Sequence, residues 1–101
     1  MASLAMPTSN LARVVEAMHG CRAVFRETAR VVERWEGEIA WEGDVSVFDV
    51  GHPKASKAYA WSEPTHDGKA RTLAVLGIPP VNSAADAVRA ALVRRTRDED
   101  Q

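Results

Sequence analysis

Three groups of residues in this chain have types and spacings that could do chemistry. His52 stands in Gly51-His52-Pro53, with Asp49 three residues before it. An imidazole beside a carboxylate can move protons or hold a metal. Asp49, His52, Tyr59 and Trp61 together would line a small-molecule pocket between a helix and a sheet. Arg22, Arg26, Arg30 and Arg34 recur at every fourth position. They share a face and could follow a phosphate backbone while nearby rings stack bases. Trp35, Trp41, Tyr59 and Trp61 form a concentrated aromatic supply, and such rings are enriched at the cores of protein interfaces.

Each group also has a plainer explanation. His52 reads as a turn residue satisfied by backbone or water, because no second motif supports a site around it. His66 and Asp67 belong to a solvated hairpin tip, and His19 ends a helix where a cationic ring suits the dipole. Cys21 has no Cys-His signature and reads as a structural thiol. Ser56, Ser62 and Ser83 lack a nucleophile-elbow context, and Ser83 is better placed as a helix cap. The six glycines are scattered and form no phosphate-binding loop. Glu36, Glu38, Glu42 and Asp44 lie alongside the arginines and neutralise much of their field. Lys54, Lys57 and Lys69 are a separate basic cluster. The sequence therefore assigns no catalytic residue, no metal ligand and no cofactor.

Composition narrows the classes further. The chain has 101 residues, 13 Lys+Arg against 14 Asp+Glu, and a formal charge of −1. That balance argues against a general nucleic-acid coat. It is 46% hydrophobic and 27% charged, as in ordinary globular proteins. No apolar run approaches the ~20 residues needed to span a bilayer. The single cysteine cannot form an internal disulfide, and no Cys/His cluster has zinc spacing. The first nine residues lack the basic and apolar regions of a secretory leader, so a cytoplasmic location is expected.

The elements that must position these residues follow from periodicity. Residues 1–8 read as a flexible tail, residues 9–96 as one domain, and residues 97–101 as a frayed end. Ser9 or Asn10 caps a helix carrying Leu11, Val14, Val15 and Met18 on one face and stopped by Gly20. The stretch Cys21 to Trp35 fits both a helix and a strand. The clear alternation of Ile39, Trp41, Val45 and Val47 after a short turn favours the strand. A three-residue loop, Glu36 to Glu38, then pairs Trp35 with Ile39, Glu33 with Trp41, Val31 with Gly43, Ala29 with Val45 and Arg30 with Asp44. Phe25, Ala29, Val31 and Trp35 face one way and the four arginines the other. Gly51-His52-Pro53 breaks the chain before a third strand from Ala55 to Glu63. Asp67-Gly68 marks a hairpin turn. Leu73 to Leu76 is apolar on both sides, which suggests a central strand. Pro79-Pro80 ends it, Asn82 or Ser83 caps the last helix, and Ala84, Ala85, Val88, Ala91 and Leu92 form its stripe. Arg94, Arg95 and Arg97 sit at its C-terminal end.

The expected fold is α+β: a helix, a four-stranded antiparallel sheet and a second helix, with both helices on one face. The other face would then carry part of the aromatic set. A domain of this size has a modest core, so burying a second face against another copy would help it.

Several short strings also resemble a group of small uncharacterised bacterial proteins, some carried on mobile elements such as integron gene cassettes. They are Trp41-Glu42-Gly43, Val47-Phe48, His52-Pro53-Lys54-Ala55, Ala58-Tyr59-Ala60-Trp61, Ile78-Pro79-Pro80-Val81 and Ala87-Val88-Arg89-Ala90-Ala91, within residues 31 to 93. The resemblance implies a bacterial cytosolic protein, of a kind that is often a dimer or an adaptor, and carries over no catalytic residue. The resulting expectation is a non-enzymatic interaction module. It would self-associate through Trp35, Trp41, Tyr59 and Trp61 and bind another protein, with no membrane partner. The pocket around His52 and the arginine face are the alternatives.

Overall fold

The computed structural model describes residues 8–65 and 67–99, with side chains described as far as Arg94. In chain order the elements are α1 (Thr8–His19), β1 (Ala23–Trp35), β2 (Glu38–His52), β3 (Ala55–Pro64), β4 (Ala70–Leu76) and α2 (Ala84–Glu99). The four strands form one sheet in the order β1-β2-β3-β4, and every neighbouring pair is antiparallel. The expected element order and the antiparallel sheet are therefore present, and both helices contact the sheet.

They do so from opposite sides, which corrects the one-face arrangement expected above. Successive side chains of a strand point to opposite faces. In β3, Ala58 and Ala60 lie under α1 with Phe48, Leu11 and Val15. Tyr59 and Trp61 lie under α2 with Val31, Val45, Val47, Ala87 and Val88. Both sets are apolar, so each face needs its own cover. The run Leu73 to Leu76 has the same cause: Leu73 and Val75 face α2, whereas Ala74 and Leu76 face α1. The strand is covered on both sides yet lies at the sheet edge, not at its centre.

The helix ends follow local chemistry. Gly20 adopts φ +61° and closes α1, its N–H donating to the Glu16 carbonyl at 2.9 Å, as a glycine past a helix end does. Ser9 and Asn10 both lie inside α1 as described, after Thr8, so neither of those is its cap. At α2, Ser83 Oγ accepts the Asp86 N–H at 3.1 Å. Asp86 in turn accepts the Asn82 N–H at 3.0 Å, a relative of the reciprocal capping box. Residues 97–99, expected to fray, are helical. Residues 1–7, 100–101 and His66, about which expectations were stated, lie outside the described residues.

The β1–β2 hairpin differs from expectation at its tip. The turn has two residues, Glu36 and Gly37, because Trp35 pairs with Glu38. Both have positive φ, +55° and +83°, the combination whose twist matches a hairpin. A two-residue turn alone would shift every later pair. The ladder absorbs the difference at a bulge: Arg34 pairs with Ile39 but Glu33 with Trp41, so Ala40 is the extra residue. Beyond it, Glu33–Trp41, Val31–Gly43, Arg30–Asp44 and Ala29–Val45 pair as expected. A second irregularity leaves Arg26 unmatched between Phe25–Phe48 and Glu27–Val47. This bulge turns Phe25 to the α1 side, where its ring meets Phe48 edge-on at 6.0 Å. Phe25 is thus not on the face of Ala29 and Val31. β2 is matched to β3 only between Ser46 and His52, so its first half and the facing part of β1 form a two-stranded arm.

The turn geometry yields a test. A Cβ at Gly37 would meet nothing within 4 Å, so Gly37→Ala should cost only the left-handed strain, about 1 kcal/mol. Glu36→Asn, which suits the same conformation better, should stabilise. Urea denaturation of both variants checks the two signs.

Candidate functional site

The aromatic residues do not form one surface. Tyr59 is 5% and Trp61 2% exposed, both held in the core by α2. Trp41 is partly buried against the same core, its ring edge-on to Trp61 at 5.8 Å. Trp35, at the hairpin tip, is the most exposed of the four. The expected interface through Trp41, Tyr59 and Trp61 is thereby corrected: α2 occupies the face on which they stand. The Trp61 indole Nε1 makes no hydrogen bond among the described residues. Burial raises the Tyr59 phenol above its ordinary pKa, and the negative charge of Asp86 adds to the effect.

The proposed pocket residues also separate. His52 Nδ1 accepts the Lys54 backbone N–H at 3.0 Å inside the β2–β3 turn, as in the plainer explanation. Asp49 instead binds Lys57 Nζ and Arg26 Nη1, the latter at 3.2 Å. The Lys57 ammonium, followed by the charge of Arg26, holds its carboxyl below the usual carboxylate pKa. Tyr59 and Trp61 lie beneath α2 in the core, whereas Asp49 is taken up by Lys57 and Arg26 and His52 by its own turn. A groove of about 660 Å³ lies elsewhere, between Pro80–Val81 and the Ala90 and Val93 face of α2, rimmed by Asp86 and Arg94. Among the described residues no three His, Cys, Asp or Glu side chains gather as a metal site.

The arginine row is broken for a stated reason. Arg22 precedes β1, and the bulge turns Arg26 toward Asp49. Asp49 stands on the Val47 side of β2, whereas Arg30 reaches Glu42 at 2.8 Å and Asp44 at 3.4 Å on the other side. Those two acceptors raise the Arg30 pKa. The expected neutralisation by Glu42 and Asp44 is therefore real, and only Arg34 of the expected row shares the Arg30 face.

Sequence reasoning missed a polar row on the α2 side of the arm. Glu33 is 7% exposed, and Arg89 of α2 grips both its oxygens, Nε donating at 2.8 Å and Nη2 at 3.4 Å. Trp41, paired with Glu33 in the ladder, donates its indole N–H to Glu63 at 2.9 Å. Arg71 donates to the other Glu63 oxygen at 3.0 Å. The contacts thus run from Arg89 through Glu33, Trp41 and Glu63 to Arg71, across all four strands. Buried carboxylates persist only when so partnered. The available signal was the odd-numbered position of Glu33 and Glu63, in phase with the buried residues of their strands.

Among the described residues, five of the eight exposed large apolar side chains lie on β1 or at the start of β2; Met18, Ile78 and Val93 are the others. Val24, Phe25, Val32 and Trp35 of β1 and Ile39 of β2 are exposed apolar residues. No helix among the described residues is long and apolar enough to cross a membrane. No protein-family description, curated protein or solved structure matches the chain.

Two outcomes check this site. Arg89→Ala strands the buried Glu33 carboxylate, whereas Glu33→Gln keeps an acceptor for Arg89. Arg89→Ala should therefore lower the urea midpoint more than Glu33→Gln does. For Tyr59, the unfolded phenol ionises first, near pH ~10. Stability should then fall as pH rises from that value toward the higher folded one. Tyr59→Phe should flatten this alkaline loss in pH-dependent denaturation.

Proposed function

We propose that this chain is a non-enzymatic interaction module of the cytoplasm, of the bacterial mobile-element kind its motifs resemble. It self-associates as a homodimer and in that form binds another protein. The observation that supports the reading is the state of β1. It is a 13-residue strand with β2 on one side and, among the described residues, no strand on the other. Four large apolar side chains along it are exposed. A long apolar edge is a template for pairing and is ordinarily shortened or covered in a monomer. The side chains with chemical potential support the same reading, because Asp49, His52 and Arg30 are each engaged in structural contacts.

Size-exclusion chromatography with light scattering over a concentration series is the test. The expected mass is twice the 11.0 kDa of one chain, falling toward one chain on dilution. A mass of one chain at every concentration overturns self-association.

A further inference from the structure

We infer that the homodimer forms by antiparallel pairing of β1 with β1 of a second copy, centred on Val31. The inference rests on the self-association proposed above and assigns it a surface and a register.

A two-fold axis normal to the sheet is the operation that joins two like edges into one continuous sheet. It brings the strands together antiparallel and keeps each face on its own side. Residues directly opposite then lie on the same face, so an opposed pair must share parity. Regular alternation in β1 runs from Glu27 to Trp35, because the bulge at Arg26 breaks the ladder before it and the turn at Glu36 ends the strand after it. Within that stretch Ala29, Val31 and Glu33 are the partly or fully buried positions and the even ones are exposed.

Charge decides among the registers this leaves. Centred on Arg30, the pairing opposes Arg30 to itself and Glu27 to Glu33. Centred on Val32, it opposes Arg30 to Arg34; centred on Glu33, it opposes that carboxylate to itself. Like charges directly opposite are destabilising. Centred on Ala29, it uses only Glu27 to Val31. Centred on Val31, it uses the whole regular stretch and opposes no like charges. Thr28 faces Arg34, Ala29 faces Glu33, Arg30 faces Val32 and Glu27 faces Trp35, each twice by symmetry.

The same register covers exposed apolar surface. Val32 and Trp35, both exposed in one copy, would lie against the Arg30 stem and the Glu27 stem of the second. Long charged side chains cover apolar neighbours in this way. The two Arg30 groups become diagonal neighbours, and each already carries Glu42 and Asp44 as partners. Glu33, opposite Ala29, is likewise held by Arg89.

Thr28 is exposed and uncharged, and it faces Arg34 only in this register. Thr28→Glu should therefore tighten the dimer and Thr28→Lys should loosen it, each about three- to tenfold over the two symmetric pairs. Ser56→Glu, an exposed change on β3 away from the edge, controls for net charge and should leave the dimer unchanged. Dissociation constants come from sedimentation equilibrium, with far-UV circular dichroism verifying that each variant is folded. Opposite shifts at Thr28 with an unmoved control support the register. A dimer indifferent to both Thr28 changes overturns the register and leaves self-association standing. A monomer throughout, wild type included, overturns both.

Discussion

The structure depends on one constraint, a sheet that is apolar on both faces. β3 states it most sharply. It sets the small Ala58 and Ala60 on one side and the large Tyr59 and Trp61 on the other. Neither set tolerates water, so one helix must lie on each side. The small side chains let α1 approach closely with Leu11 and Val15, whereas the rings need the alanine-rich stripe of Ala84, Ala87 and Val88. Large residues opposed to small ones fill such a layer without voids. A 12-residue helix such as α1 is marginal alone and persists through that packing.

Spending one helix per face leaves neither face fully covered. α1 lies over the end of the sheet where Ala23, Phe48, Ala58 and Leu76 meet. Farther along that face the β1–β2 arm carries Thr28, Arg30, Glu42 and Asp44, all but Thr28 ion-paired, beside the exposed Val32. The other side of the arm is too apolar to be left open. There α2 crosses it, and the Arg89–Glu33 pair ties the helix to β1. Covering both faces of a short sheet thus leaves an open margin, the β1 edge.

Much of this was legible in the residues. Alternation in Ile39 to Val50 and in Ala55 to Glu63 located two strands, and the pairing of Arg30 with Asp44 followed from matching apolar and charged positions. Two features were hidden. The helices' sides depend on which parity of β3 is apolar, and alanine does not stand out as a core residue beside tyrosine and tryptophan. The bulges at Arg26 and Ala40 were hidden too, because a period-2 pattern gives no sign of where one residue drops out of a ladder. The candidate site fared worse for the same reason. Four arginines at constant spacing make one face only while the alternation is unbroken, and the Arg26 bulge breaks it.

The bulges also bear on what the edge of the sheet can do. A bulge raises local twist and ends regular pairing, so the Arg26 bulge withdraws the first part of β1 from any further ladder. The bulge at Ala40 sits on β2, on the inner side of the arm, and leaves the outer margin of β1 straight from Glu27 to Trp35. An edge fully defended against pairing would place its irregularity in the middle of its own outer strand. Here the outer strand is interrupted once, near its start, and the correction for the tight turn is made on the inner one. Nine uninterrupted residues with an apolar residue at their midpoint are what remains, and that continuity follows from absorbing the odd residue at Ala40 instead of in β1.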